Sequence, residues 1–474
     1  MYKRVMGLEI HAQIATKTKL FSRSLNTDQA EPNEQVDWLD AGMPGALPVP
    51  NKEAINMALK TSLALNMEIN EISIFDRKHY FYPDSPLGYQ ITQFYKPIGI
   101  NGYLDCSFGR IRINRLHIES DAGKTIYDDD GNTYVDLNRA GVPLMEIVTE
   151  PDFHTPEEVV EFLKELKSIL LAIGTSECNM EAGNLRADVN LSLHKEGEPY
   201  GNRVEMKNLN SFRFIAKAVE YETLQQTKIL ESGGRVTQET KLFDSKLGIT
   251  KSMREKEDAV DYRYFPDPDL LPIKLEKEYI NQVRENLPKL PAQIREEYEK
   301  YNIAKKQAYT LSEHPLRINF FANIMKAVNE NMIEAASNWV CSELIGKLGR
   351  LNIDFEQFIE KRTDFAESLS QIIVLCENGT ITRANGKEIL DSIIENAEDI
   401  NKIVERNGYL NKVDQGDIVS MIHQALIDNP SEVVKYKGGK TSLIMFFVGL
   451  IMKETKGKCD PEFVRAEFEK ELNK

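Results

Sequence analysis

The chain has 474 residues, with 59 Lys+Arg against 74 Asp+Glu and a formal net charge of −15. At roughly 150 residues per domain this length calls for two to four domains, and the acidic balance excludes non-specific coating of a polyanion, leaving room only for a local basic patch. With 41% hydrophobic and 28% charged residues the composition is that of a globular protein, neither disordered nor fibrous. Lys3 and Arg4 are followed by charged Glu9 rather than a signal-peptide apolar region, and the longest apolar run, Leu443 to Met452, is too short for a membrane span. A cytoplasmic protein is expected. The five cysteines (106, 178, 341, 376 and 459) never form a C-x-x-C pair, so reduced thiols are expected rather than disulfides or a zinc site.

The first strand expected is Gly7 to Ile14, with Leu8, Ile10, Ala12 and Ile14 on one face and Glu9, His11 and Gln13 on the other. Such a polar row is commonly just solvated. A carboxylate and an imidazole two apart on a strand also project side by side, as two ligands of one metal do. A helix is expected over Lys52–Leu65. The aromatic stretch from Lys78 to Asp84, with Tyr80, Phe81 and Tyr82, either stacks a base or plugs a core. The segment Arg115 to Lys124 repeats the first pattern, with His117 and Glu119 on one face, and Pro143 to Asp152 sets Glu146 inside an apolar run, where a carboxylate is costly unless paired or metal-bound. Three carboxylate-bearing strands suggest a hard-cation site such as Mg²⁺. The competing reading is a set of buried ion pairs to Arg115, Arg139 and Lys124.

Thr155-Pro156-Glu157-Glu158 opens a second helix, running to Ile173. Beyond it Arg186, Asp188 and Asn190 share one strand face, and Glu205 and Lys207 another; Arg186 and Lys207 suit phosphate. The prolines between Pro266 and Pro272 end the β-rich texture. Helical periods follow at Ile318–Val328, Ala335–Leu348, Phe355–Phe365 and Glu367–Cys376, the signal weakens over Ala397–Leu410, and Ile418–Ile427 and Leu443–Met452 resume it around a Lys/Gly loop, 436–440. The fold class expected is α+β: a β-rich cradle over 1–290, an all-helical domain over 291–400 and a small helical tail over 401–474. Lys435 to Lys458 carries six Lys against the single acid Glu454, a basic window suited to a phosphate backbone or simply solvated. The P-loop, Gly-x-Gly-x-x-Gly and Gly-x-Ser-x-Gly patterns are all missing.

These same stretches, among them GLEIHAQIATKTKLFS from Gly7, FDRKHYFYPDSPLGYQITQ from Phe75, RLHIESDAGK from Arg115, VDLNRAGVPLMEIVTEPD from Val135, EAGNLRADVNLS from Glu181, EMKNLNSF from Glu205 and VGLIMKETKGK from Val448, resemble the B-subunit family of bacterial aspartyl/glutamyl-tRNA amidotransferases along the whole chain. The resemblance implies phosphorylation, with ATP and Mg²⁺, of the side-chain carboxylate of Glu on tRNA(Gln) or Asp on tRNA(Asn), then amidation by ammonia from an amidase A subunit, with a small C subunit completing a heterotrimer. It implies Glu9, His11, Glu119 and Glu146 as a metal-centred set with Glu150 behind them, Arg186 and Lys207 as phosphate or aminoacyl contacts, and Tyr80, Phe81 and Tyr82 as pocket lining. In the tail it implies tRNA-body contacts by Lys437, Lys440, Lys453 and Lys456. Two departures stand out: Ser120 replaces a second acid that many relatives carry, and Phe446, Phe447 and Cys459 differ from the usual tail. The alternative is a non-catalytic tRNA-binding scaffold. An archaeal-type relative with an inserted domain does not fit in 474 residues.

Overall fold

The alternation of the first strand sets the architecture of the N-terminal part. In the computed structural model, which describes residues 2–27, 29–128, 130–255, 262–396, 398–410, 415–455 and 459–472, strand β1 (Lys3–Gln13) lies inside a nine-stranded sheet. Its companions are β2 (Glu68–Ile69), β5 (Gly99–Cys106), β6 (Gly109–Ser120), β7 (Pro143–Thr149), β8 (Leu185–His194), β9 (Val204–Lys207), β10 (Glu239–Asp244) and β11 (Ile249–Glu255), in the order β11-β10-β9-β8-β1-β7-β6-β5-β2. All neighbours are antiparallel except β9 and β10. One face is apolar across its centre: Leu8, Ile10, Ala12, Leu116, Ile118, Met145, Ile147, Ala187, Val189 and Leu191 are buried in a single core. At about 25 cal/mol per Å² of apolar surface, this face supplies the main drive to fold this unit.

Four helices belong to that core, the last of them Lys277–Glu285, which buries Ile280 and Val283 in it. In α1 (Lys52–Ala64) the Asn51 side chain accepts from the backbone N–H groups of Glu53 and Ala54, and α2 (Pro156–Ala172) opens with a capping box between Thr155 and Glu158. Both match their expected spans to within a residue. The third, α3 (Phe212–Glu231), has no counterpart in the sequence reading, which finds only two helices in this half. Its buried stripe, Ile215, Ala218, Val219, Glu222 and Gln226, mixes polar with apolar residues and so hides its period. Glu222 accepts from Lys241 and Thr250, which makes its burial tolerable.

A smaller sheet brings further residues to the open face of the large one. Strand β3 (Asp76–His79) pairs on one side with β4 (Tyr89–Thr92) and on the other with β12 (Phe265–Pro266). Gln90 Nε2 donates to the Ser120 carbonyl at 2.7 Å, and the Ile118 N–H donates to Gln93 Oε1 at 3.0 Å, so this sheet is pinned to β6.

The chain divides into two compact units, Met1–Pro291 and Ala292–Lys474. The second is helical, with two cores. One gathers Trp339, Phe365, Ile372, Ile389 and Ile403; the other gathers Ile422, Phe447, Ile451, Val464 and Phe468. The expected tail start at 401 falls inside the helix Ile400–Asn407, whose Ile403 and Val404 pack in the first of these cores. The expected helix over Phe355–Phe365 ends at Lys361, because Arg362 leaves helical geometry at φ −121° and ψ 67°. Helices Arg383–Glu395, Pro430–Lys437 and Pro461–Leu472 escape the sequence reading, and the Lys/Gly loop is correspondingly shorter. Among the described residues no helix is long and apolar enough to cross a membrane.

Candidate active site

Strand register assembles the polar face. Glu9 stands opposite Val148 and Asp188, His11 opposite Glu146 and Arg186, and Glu146 opposite His117. Residues directly opposite each other in an antiparallel pair project from the same face. His11, Glu146 and His117 therefore form one row across β1, β7 and β6, with Glu119 two residues beyond His117. His11 Nε2 lies 3.3 Å from Glu119 Oε1 and 3.4 Å from Glu146 Oε2. His117 Nε2 lies 3.3 Å from Glu146 Oε2 and 3.8 Å from Glu119 Oε2. Thr92 Oγ1 donates to Glu119 Oε2 at 3.3 Å. Of the four expected metal ligands, Glu119 and Glu146 are buried while Glu9 and His11 are half-buried at the rim.

Burial pushes both buried carboxyls up, yet the imidazoles of His11 and His117 win, and Glu119 and Glu146 are held well below the usual carboxylate range. Reciprocally, burial pulls the imidazoles down but the two carboxylates outweigh it, taking His117 up to about 9 and His11 well above its ordinary value. The imidazoles and the carboxylates thus favour one another's charged forms. Donor atoms of Glu9, His11 and Glu146 lie within 4.8 Å of one another, as do those of His117, Glu119 and Glu146. His117 Nδ1 is buried without a partner. A metal-bound imidazole ordinarily donates its other N–H to an acceptor, so His117 fits better as a donor that orients Glu146, and His11 as the ligand. Carboxylates with one imidazole at the rim fit a divalent cation that completes its shell with water or phosphate.

A second acidic group adjoins the first. Glu9, Asp188 and Glu205 bring carboxylate oxygens within 4.8 Å of one another, and Lys207 occupies that position: its Nζ is 2.5 Å from Asp188 Oδ2 and 3.3 Å from Glu205 Oε1. Burial pulls the Lys207 ammonium down, but Asp188 and Glu205 outweigh it and raise it. Glu9, between the clusters, is pushed up by burial and by Glu146.

Other expected residues are placed differently. Arg186 donates to Asp121 Oδ2 at 2.8 Å, an oxygen that Arg139 also approaches at 3.4 Å, and its Nε is buried without a partner. Of the three cations in the ion-pair reading, only Arg115 reaches the cluster, 3.6 Å from Glu146; Lys124 is exposed. Glu150 lines a neighbouring cavity of ≈ 660 Å³, shared with Glu9, Arg115, Asn190 and Arg203. Tyr80 stacks on Tyr82 at 4.5 Å and lines a separate cavity of ≈ 50 Å³, whereas Phe81 is 79% exposed and lines neither. Alternation puts Tyr80 with Tyr82 on one side and Phe81 near His79 on the other, 6.0 Å between ring centroids, so the three rings do not line one pocket. The departure at Ser120 leaves the cluster intact, since its hydroxyl bonds the Ile91 backbone and alternation points it away from Glu119. Lys437, Lys440 and Lys453 are exposed, and Lys456 lies outside the described residues.

Sequence reasoning misses Lys78. Its ammonium lies 4.9 Å over the Tyr262 ring, and although burial pulls it down, Glu119 and Glu146 raise it. A lysine leading an aromatic run carries no period that reveals this; only the docking of the small sheet against β6 through Gln90, Thr92 and Gln93 does. His117 is legible as a neighbour of Glu119, but its contact with Glu146 requires the register.

A family model described as GatB/GatE catalytic domain matches residues 4–281, and one described as GatB domain matches residues 319–472. The B subunit of the aspartyl/glutamyl-tRNA(Asn/Gln) amidotransferase of Persephonella marina is 45% identical over 98% of this chain and 98% of its own length. The protein of the same name from Rickettsia canadensis is 45% identical over 99% and 98%, and that from Rickettsia conorii 44% identical over 100% and 98%.

Proposed function

The chain belongs to the GatB family, and from that premise we propose that it is the kinase and transamidase subunit of a tRNA-dependent amidotransferase, a carbon–nitrogen ligase with glutamine as amide donor. Its substrates are Glu-tRNA(Gln) and Asp-tRNA(Asn), its cofactors ATP and Mg²⁺, and its partners an amidase A subunit and a small C subunit in a cytoplasmic heterotrimer. The observation that carries this reading is the pair of carboxylate–imidazole groups sharing Glu146.

A carboxylate resists ammonia until one of its oxygens becomes a leaving group. The γ-phosphoryl group passes from ATP to that oxygen, releasing ADP; ammonia then attacks the acyl carbon, the C–O bond to phosphate breaks, and the nitrogen loses a proton. Phosphoryl transfer of this kind depends on positioning and charge neutralisation. Glu9, His11, Glu119 and Glu146 would hold Mg²⁺, which when bound supplies the positive charge that two anionic reactants require. His117 orients Glu146 through its Nε2. The ≈ 660 Å³ cavity beside Glu9, with Arg115 and Arg203 in its wall, suits a nucleotide and its phosphates. Lys78 faces the same carboxylates from the opposite strand end and suits the substrate carboxylate or the transferring phosphoryl group. Lys437, Lys440 and Lys453, with Lys456 after them in sequence, suit the tRNA body.

The test is phosphate release by the chain assembled with its A and C subunits, with Mg²⁺ and ATP, in the presence of Glu-charged tRNA(Gln) or Asp-charged tRNA(Asn). Release that requires a charged tRNA and fails in Glu146→Gln is the expected result. Full release in Glu146→Gln would make this chain a scaffold and return the carboxylates to structural roles.

A further inference from the structure

Both substrates of the proposed reaction carry an adenosine, and two parts of the site's wall differ in charge. Along β6, Arg115, His117 and Glu119 follow one another on one face, and Arg115 is about 13 Å from Glu119 at ~3.3 Å per residue. The cavity of ≈ 660 Å³ opens at the Arg115 end. Just past Thr92, whose hydroxyl donates to Glu119, the chain presents a shelf of aromatic rings. Phe94 and Tyr264 are stacked with centroids 4.1 Å apart and planes 10° from parallel, and Tyr95 meets Phe94 edge-on at 5.2 Å. Tyr264 is near enough to Glu146 and Glu119 to feel their charge, which sets the shelf beside the reacting centre.

The shelf is rigid and yet open. The backbone N–H groups of Phe94 and Tyr95 donate to Asp76 Oδ2 at 2.7 and 3.0 Å, Asp76 itself being fully buried. The Tyr95 hydroxyl donates to the Tyr264 carbonyl at 3.1 Å. Despite these anchors Phe94 is 50% exposed. A ring that closes no core but is held in a parallel stack matches the way proteins receive an unpaired base, whose π-face adds one more layer.

Resting on the phosphoryl-transfer reading above, we propose that the Phe94–Tyr264 stack receives the terminal adenine of the charged tRNA, with the nucleotide's adenosine at the Arg115 end. The charges divide the two ligands. A triphosphate needs the cations Arg115 and Arg203, whereas the tRNA terminus brings an uncharged ester-linked ribose next to the reacting carboxylate and suits an apolar shelf with the single ammonium of Lys78 beside it. The aminoacyl group then points from the shelf toward Glu119 and Glu146.

The test uses the chain assembled with its partner subunits and uncharged tRNA(Gln) bearing 2-aminopurine in place of the terminal adenine. Stacking quenches this fluorophore, so binding to the wild type quenches it, Phe94→Leu and Phe94→Ala relieve the quenching, and Phe94→Tyr restores it. With charged tRNA the KM for tRNA rises about tenfold in Phe94→Leu, as expected for one lost base–ring stack, while the KM for ATP is unchanged. Quenching that survives Phe94→Ala, or a rise confined to the KM for ATP, would overturn the proposal. The phosphoryl-transfer reading fails separately: phosphate release persisting in Glu146→Gln would remove it, whereas the fluorescence of uncharged tRNA does not depend on turnover.

Discussion

Two acidic clusters share the polar face of the central sheet and meet at Glu9, and they differ in how their charge is balanced. Around Asp188 and Glu205 the balance is built into the chain, because Lys207 occupies the position a cation would take. Around Glu119 and Glu146 the balance comes from two imidazoles, one at the rim and one buried with an unpartnered Nδ1. A lysine tether is permanent, whereas imidazole can give up its proton and accept a metal instead. Carboxylate count therefore does not identify a metal site; the resident counter-charge does.

The largest effect expected is on turnover. Glu146→Gln lowers charged-tRNA-dependent phosphate release on the order of 10²–10³-fold, the range seen when a charge-stabilising group is lost from a site of this kind. Asp188→Asn, measured in the same assay, is expected to cost far less, and equal losses would erase the distinction between the clusters. Next in size is the response to cation. Mg²⁺ at about 100 times its Kd stabilises the folded chain by about 2.7 kcal/mol, seen as a rise in Tm; Glu146→Gln abolishes the rise and Lys207→Met leaves it in place.

Smaller still is the cost of removing the built-in cation. Without Mg²⁺, Lys207→Met lowers unfolding stability in urea by about 1–2 kcal/mol, less than for a fully buried pair because the Lys207 side chain is 36% exposed. A loss above that range would mean the second cluster depends on Lys207 as deeply as a core ion pair does. The apolar side of the same sheet gives the smallest signal. Burial pushes the Cys178 thiol up to about 11, so the thiol form persists below that pH and the folded chain shows no Cys178 labelling by a thiol reagent at pH 8. Rapid labelling there would show that the core opens.

Much of this is legible in the sequence. Period-two alternation in Gly7–Ile14 separates Glu9 and His11 from Leu8 and Ile10, and the observed strand keeps that division. The Thr155-Pro156 signal locates α2 because caps and prolines act locally. Arg186 and Lys207 look free to meet phosphate in the sequence; the structure pairs them with Asp121 and with Asp188 and Glu205, and neither Asp121 nor Asp188 is a neighbour along the chain. Helix α3 is hidden for a related reason, since Glu222 is tolerable in a buried stripe through Lys241 and Thr250, which its own segment does not contain. Tyr80, Phe81 and Tyr82 look like one surface and are divided by alternation, Tyr80 with Tyr82 and Phe81 with His79, while the exposed ring stack combines Phe94 with Tyr264 from a distant part of the chain.

The order of residues along the chain settles what depends on neighbours a few positions away: which side chains share a strand face, where helices with clear caps begin, and that the two halves differ in texture. Which strand faces which emerges only in three dimensions. Register joins His11 to Glu146 and Glu146 to His117, gives one acidic cluster its own lysine, and leaves the other balanced by imidazole. The physical reason is range: backbone propensity and alternation act along the chain, whereas the pairing of charges acts through space and is fixed only when the apolar face has packed.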